Sequence, residues 1–219
     1  LLDLFCGAGG CAVGYHRAGF DVVGVDIAPQ PNYPYEFHQA DALDPPVFYD
    51  EFDAIHASPP CQENVKGMAA VNRARGRTLD HASLIVPTRE LLIASGLPYV
   101  IENVEGADLI NPIRLCGSSF GLSVRRHRLF ECSFSAMAMP CAHHLQSEAK
   151  YPTCWRPNGE RRMAKAVQVY GNPAGKHLWP EAMGIDWMTS DELAQAIPPA
   201  YTEHVGGYLL SAITAQVSA

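Results

Sequence analysis

Leu1-Leu2-Asp3-Leu4-Phe5-Cys6-Gly7-Ala8-Gly9-Gly10 opens the chain with an apolar run that passes into a glycine cluster. Residues 1–5 read as a buried strand, and the pattern from about residue 10 to Ala18 reads as a short helix closed by Gly19. Glycines between a strand and a helix let the backbone approach a ligand closely and aim N–H groups at an anionic group. A Gly-x-Gly-Gly turn alone has an ordinary structural reading. It gains weight here because Val22-Val23-Gly24-Val25-Asp26 is a second strand ending on an acid, at the spacing where nucleotide-binding α/β folds hydrogen-bond a ribose. Nothing resembles the Lys-Ser/Thr of a phosphate loop, so a nucleoside without triphosphate fits better.

The alternation continues. Residues 53–57 form a third strand, 82–95 carry helical spacing (Leu84, Ile85, Leu91, Leu92) ending at Gly96, and 98–102 and 128–134 are further strands. This pattern predicts an α/β fold with a mostly parallel sheet. Beyond Cys132 it breaks: residues 135–180 are rich in Pro, His, Arg and Gly, as expected of a small irregular lobe. Residues 199–217 then read as a closing helix with Tyr201, Val205, Tyr208 and Leu209 on one face. The expected division is a core at 1–130, a small lobe at 131–180 and a segment at 181–219 that returns to the core.

At 219 residues and 47% hydrophobic composition, the chain suits one large domain with a small lobe. No apolar stretch approaches the roughly 18 residues of a membrane helix, no signal-peptide pattern opens the chain, and a few residues are expected upstream of Leu1. Seven cysteines without a disulfide spacing fit reduced thiols and a cytoplasmic location. The net charge of −7 is segregated: residues 121–176 carry nine Lys/Arg against three acids, the remainder seven bases against twenty acids. A basic segment on an acidic body suggests either a local polyanion footprint or a solvated basic face. A second basic run, Arg73-Ala74-Arg75-Gly76-Arg77, lies in the acidic part.

Ser58-Pro59-Pro60-Cys61-Gln62 places a cysteine behind two prolines at the end of the third strand. Each proline fixes φ and donates no ladder hydrogen bond, so the strand stops and the thiol sits on a stiff turn at the strand's carboxyl end. Ligands and chemistry collect at that edge in open α/β sheets. Glu102-Asn103-Val104 ends another buried strand and presents a carboxyl group there, and Arg126-His127-Arg128 precedes a later one with Arg126 and Arg128 expected on one face. In the lobe, Cys132, Cys141, His143 and Cys154 are the residues a structural zinc would use. Their pattern, Cys-x8-Cys-x-His-His-x9-Cys, lacks a close Cys-x2-Cys pair, so incidental cysteines and no metal are expected. Cys6, Cys11 and Cys116 read as packing residues.

Taken together and in order, these stretches resemble the DNA (cytosine-5)-methyltransferase family of bacterial or phage type. The resemblance implies a Rossmann-like S-adenosylmethionine-dependent sheet with a small target-recognition lobe. It casts Asp3, Phe5, Cys6, Gly7, Ala8, Gly9 and Gly10 as the cofactor loop, Asp26 as the ribose-binding acid, Ile27 as the apolar neighbour of adenine, and Asp41, Ala42 and Pro59 as further cofactor contacts. Cys61 becomes the nucleophile that adds to cytosine carbon 6, Glu102 the group at ring nitrogen 3, and Arg126 and Arg128 the arginine pair. Duplex DNA is the implied partner, with Gln62, Lys66, Arg73, Arg75, Arg77, Arg161 and Arg162 as contacts, and a monomer is expected. No restriction-endonuclease counterpart is evident. The motifs do not separate DNA from transfer RNA as substrate, nor an active enzyme from a DNA-binding homologue with weakened turnover. One departure stands out: Ala194-Gln195-Ala196-Ile197-Pro198-Pro199 replaces the Gly-Asn that the family usually carries before its apolar-Pro-Pro stretch.

Overall fold

The structure, a computed structural model, describes residues 1–60, 83–155, 158–170 and 175–217. Its centre is the strand β1 (Leu2–Leu4), paired in parallel with β2 (Val23–Asp26) on one side and β4 (Ile55–Ala57) on the other. Outside β2 lies β3 (Glu36–Gln39), and outside β4 lies β5 (Tyr99–Asn103), both parallel. Then β7 (Arg128–Cys132) runs antiparallel to β5, and β6 (Ile113–Leu115) antiparallel to β7. The seven-stranded order is β3-β2-β1-β4-β5-β7-β6. Chain direction across the sheet reverses between β1 and β4, which opens a crevice at the carboxyl ends of those two strands.

Leu2, Leu4, Ile55, Ala57, Val100 and Ile101 are fully buried, as expected of strands covered on both faces. Helix α1 (Gly10–Arg17) follows β1, and α2 (Ile85–Ser95) precedes β5 and ends at Gly96 in the left-handed conformation. Two short helices, α3 (Trp179–Met183) and α4 (Ser190–Gln195), lead into the long α5 (Pro199–Val217). α5 packs on α1 so closely that a Cβ on Gly14 would lie 2.1 Å from the Pro199 carbonyl oxygen. The Thr202 hydroxyl donates to the Cys11 carbonyl across that contact at 2.8 Å. Tyr201, Val205 and Leu209 are fully buried on one face of α5, with Tyr208 half-buried beside them.

Three differences from the sequence reading concern polar or edge segments. β3 and β6 escape a hydrophobicity reading because both are partly exposed. Residues 135–180 are not without elements: β8 (Tyr151–Trp155) and β9 (Arg161–Ala164) form an antiparallel pair. Val167, Val169, Trp179, Met183 and Ile185 join Val124 and Ala8 in a buried cluster of their own. The join between lobe and core is therefore apolar.

One buried ion pair ties α2 to β7. Arg89 Nε and Nη2 donate to the two carboxylate oxygens of Glu131, both at 2.8 Å, and Nη2 also reaches the Asp108 carbonyl at 2.7 Å. Glu131 in turn accepts from the Ile110 backbone N–H at 2.7 Å. Removing one partner strands the other charge in the interior. Arg89→Met is expected to lower unfolding free energy by about 3–5 kcal/mol, read by urea denaturation, with Arg89→Met/Glu131→Leu recovering most of the loss.

Candidate functional site

Strand register decides which side chains meet. Asp3 pairs with His56, and His56 with Val100. Alternation then puts Asp3, His56, Ser58 and Glu102 on one sheet face, the face that α1 covers through the Tyr15 hydroxyl, 2.9 Å from His56 Nδ1. Polar groups at the end of otherwise apolar strands are costly to bury, and most of these are partnered.

The loop after β1 is strained and braced. Phe5 adopts a φ of +57°, which costs a side-chain-bearing residue about 1–2 kcal/mol. Gly7 and Gly9 follow with φ of +50° and +86°. The Asp26 carboxylate holds this loop from the end of β2: it accepts from the Gly7 N–H at 3.0 Å and from the Ala28 N–H at 2.9 Å. With about four lone-pair sites, a carboxylate so engaged can still accept further donors. Ile27, next in sequence, is 73% exposed. Gly10 begins α1, and a Cβ there would lie 2.5 Å from the Ile197 carbonyl oxygen. Cys6 and Ala8 are buried, and the Ala8 carbonyl accepts from Trp187 Nε1 at 3.0 Å. Asp41 is exposed with one oxygen taken by the Leu43 N–H at 2.9 Å, and Ala42 is buried behind it.

At the neighbouring edge, Pro59 is buried and Pro60 exposed. The Pro59 carbonyl accepts from Asn103 Nδ2 at 2.9 Å, so β5 fixes the turn that leads into residue 61. Cys61 itself, with Gln62, Lys66, Arg73, Arg75 and Arg77, lies outside the described residues. Glu102 is 5% exposed, and its Oε1 lies 3.1 Å from Arg128 Nε. Register explains the pair: Glu102 faces Phe130 across β5 and β7, and Arg128 reaches it diagonally from two residues along. Burial pushes the Glu102 carboxyl above its ordinary pKa, against the opposing pulls of Arg128, Ser58 and Arg126.

Behind this pair runs a buried polar chain that the sequence reading did not single out. Tyr15 Oη, His56 and Ser58 Oγ connect at 2.9 Å each. Burial pushes the His56 pKa down to about 3, so the ring is neutral. If Tyr15 accepted from His56, its own proton would be left unpaired, so Tyr15 donates to Nδ1 and Nε2–H donates to Ser58. The Ser58 hydroxyl then acts on Glu102.

Arg126 departs from the expected strand alternation. It precedes β7 with a φ of +32°, so it does not share a strand face with Arg128. Its Nε, Nη1 and Nη2 donate to the carbonyls of Ala196, Val169 and Ala194 at 2.7, 3.0 and 2.8 Å. The Tyr201 hydroxyl donates to the Arg126 carbonyl at 2.9 Å. Arg126 thus clamps the lobe and the segment before α5 to the core. The altered stretch 194–199 meets the glycine loop and Arg126 through backbone carbonyls, which any residue type supplies.

Arg161 and Arg162 are exposed on β9. The cysteine–histidine set is corrected. Cys132 sits on β7 packed against the main core, and the Cys154 side chain lies outside the description. Cys141 and His143 instead meet Cys116 and His127. Among the described residues, no helix is long and apolar enough to cross a membrane.

No protein-family model matches the chain, and no curated protein sequence matches it. Among solved structures, a protein described as a "putative DNA modification methyltransferase encoded within prophage" (E. coli) superposes with a TM-score of 0.58 at 15% identity, over 97% of this chain and 99% of that one. The S. pombe Dnmt2 methyltransferase gives 0.47 at 13% identity, over 100% and 99%. The first likeness is one of fold: the chain shares with that protein a Rossmann-like α/β fold built on a mostly parallel sheet.

Proposed function

We propose that this protein is an S-adenosylmethionine-dependent methyltransferase acting on carbon 5 of cytosine in duplex DNA. The observation that carries the reading is the pairing of buried Glu102 with Arg128 at the sheet edge where Asn103 holds the turn into Cys61. A buried carboxyl pushed above its ordinary pKa and a guanidinium beside it, on the edge that the chain leaves just before Cys61, suit a ring with an acceptor nitrogen, a carbonyl oxygen and an electrophilic carbon.

The residues at the β1 end fit the cofactor. A Cβ on Gly7 would meet nothing within 4 Å, so the loop backbone is open to a ligand there. Asp26 keeps acceptor capacity for ribose hydroxyls, and exposed Ile27 offers an apolar surface for a purine. Asp3 is fully buried with neither carboxylate oxygen hydrogen-bonded, the kind of group that a donor on a ligand would satisfy. S-adenosylmethionine, when bound, supplies an electrophilic methyl group. Asp3, Phe5, Gly7, Asp26 and Ile27 would hold it.

In the proposed chemistry Cys61 adds as a thiolate to carbon 6 of a flipped-out cytosine, which makes carbon 5 nucleophilic. Glu102 places its proton at ring nitrogen 3, neutralising the charge that the addition generates. Arg128 orients Glu102 and contacts the ring carbonyl oxygen. Asn103, through the Pro59 carbonyl, is a positioning residue for Cys61. Removal of the carbon-5 proton by a base such as water then breaks the carbon–sulfur bond and returns the thiolate, while the proton on ring nitrogen 3 goes back to Glu102. Flipping costs a few kcal/mol, and phosphate contacts from Arg161, Arg162 and the basic stretch after Cys61 would offset it.

Methyl transfer to duplex DNA and to tRNA, assayed side by side, tests substrate and chemistry together. Cys61→Ala is expected to abolish transfer, and duplexes containing 5-fluorocytosine to form a covalent adduct only with Cys61 present. Turnover by Cys61→Ala would overturn the nucleophile, and transfer to tRNA alone would move the substrate. Glu102→Gln should lower kcat by about 10²–10⁴-fold with DNA affinity little changed. Burial and the Asp26 charge hold the Asp3 carboxyl well above its ordinary pKa, against a smaller pull from Tyr33. The folded state therefore binds the extra proton, and stability falls as pH rises from about 3.8 through the raised value. Asp3→Asn is expected to stabilise the protein at neutral pH by about 1–3 kcal/mol, the gap closing in thermal melts below pH ~4, and to weaken S-adenosylmethionine binding.

A further inference from the structure

Cys116, His127, Cys141 and His143 come together at the adjoining ends of β6 and β7, from three separate stretches of chain. Cys116 directly follows β6, His127 directly precedes β7, and Cys141 and His143 belong to the segment that leaves β7 for the lobe. Their ligand atoms all lie within 4.8 Å of one another. Cys116 Sγ is 3.2 Å from His143 Nε2, the two Nε2 atoms of His127 and His143 are 3.3 Å apart, and Cys141 Sγ is 3.6 Å from His127 Nε2.

These separations match a tetrahedral coordination shell. Bond lengths of about 2.3 Å to sulfur and about 2.0–2.1 Å to nitrogen, at tetrahedral angles, place two nitrogens roughly 3.3 Å apart and nitrogen and sulfur roughly 3.5 Å apart. The two imidazole rings stack at an interplanar angle of 20° with their centroids 5.2 Å apart. His127 Nδ1 lies 3.3 Å from Glu105 Oε2. That contact places the proton on Nδ1 and leaves the Nε2 lone pair aimed into the cluster, the orientation that a carboxylate enforces on metal-ligating histidines. Glu105 is held in its turn by Arg114 at 3.4 Å, whose Nη2 stands 4.0 Å from Cys141 Sγ.

We propose that Cys116, His127, Cys141 and His143 form a structural zinc site. Two thiolates and two imidazoles fill the four positions and match the charge and softness of zinc, with no position left open for a substrate. The ion would staple the entry of the recognition lobe to the ends of β6 and β7. Because His127 adjoins Arg128, the same staple would fix the backbone from which Arg128 reaches Glu102. The site is independent of the proposed methyl transfer, since neither its ligands nor its test involves Cys61 or the cofactor.

The test is metal analysis of the full chain purified without chelator, together with cobalt(II) titration of the apoprotein. About one zinc per chain is expected, and cobalt should give visible d–d bands and a thiolate charge-transfer band of a tetrahedral thiolate–imidazole site. Cys141→Ser and Cys116→Ser should each lose retained zinc, Cys132→Ser should keep it, and Glu105→Gln should weaken affinity about 10–100-fold. Absence of both retained zinc and cobalt bands in the unmodified chain would overturn the site whether or not the variants fold. So would loss of metal in Cys132→Ser with retention in Cys116→Ser. A Cys116–Cys141 disulfide whose reduced form takes up no cobalt would overturn it as well.

Discussion

The reversal of strand order between β1 and β4 is the constraint on which the rest depends. Parallel pairing of β1 with both β2 and β4 forces the loop after β1 and the turn after β4 to leave the sheet side by side. Their register also gathers Asp3, His56, Ser58 and Glu102 onto the face beneath α1. A sheet face loaded with polar groups is unstable unless they are partnered, and the molecule supplies partners from three directions. Tyr15 comes from α1, Arg128 from β7, and Asn103 from β5 itself. Among the described residues of this face, Asp3 has neither carboxylate oxygen hydrogen-bonded and Glu102 leaves Oε1 so, and Asp3 stands at the head of the glycine loop.

Much of this was legible in the sequence, and for a common reason. β1, β2, β4, β5 and β7 are buried, so their apolar runs announce them, while α2 declares its end through Gly96 and α5 its inward face through Tyr201, Val205 and Leu209. Asp26 and Glu102 could be picked out because each is an acid at the end of such a run. What was hidden depends on distance rather than on pattern. Nothing local marks Asn103 as the holder of Pro59, or links Tyr15 to His56 across 41 residues. Arg126 misled because alternation presumes extended backbone, and its positive φ removes it from the strand. Cys116 read as a packing residue, and it is fully buried, yet its sulfur lies 3.2 Å from Nε2 of a histidine 27 residues on. Ligands drawn from three stretches leave no close cysteine pair to find.

The unusual stretch before α5 takes on a different meaning in three dimensions. A lost Gly-Asn looks like a lost cofactor contact when only side chains are considered. In the fold, residues 194, 196 and 197 face Arg126 and the glycine loop with their carbonyl oxygens. The contact is therefore insensitive to residue type so long as the backbone path is kept. Pro198 and Pro199, with their fixed φ, help to keep it.

The closeness of α1 and α5 has a further consequence for how the protein is made. Tyr15 and Ala12, on α1, pack with Tyr201, Val205 and Leu209 of α5, about 190 residues later. During synthesis the amino-terminal strands emerge first, but one face of their sheet stays open until residues near 209 leave the ribosome. Long-range closure of this kind slows folding and lengthens the exposure of apolar surface. The narrow seam at Gly10 and Gly14, where no side chain fits, then acts as a final latch: α5 docks in one position or does not dock. The polar face beneath α1 and the backing of the glycine loop are thus completed late, so a nascent chain does not hold a finished site before α5 has emerged.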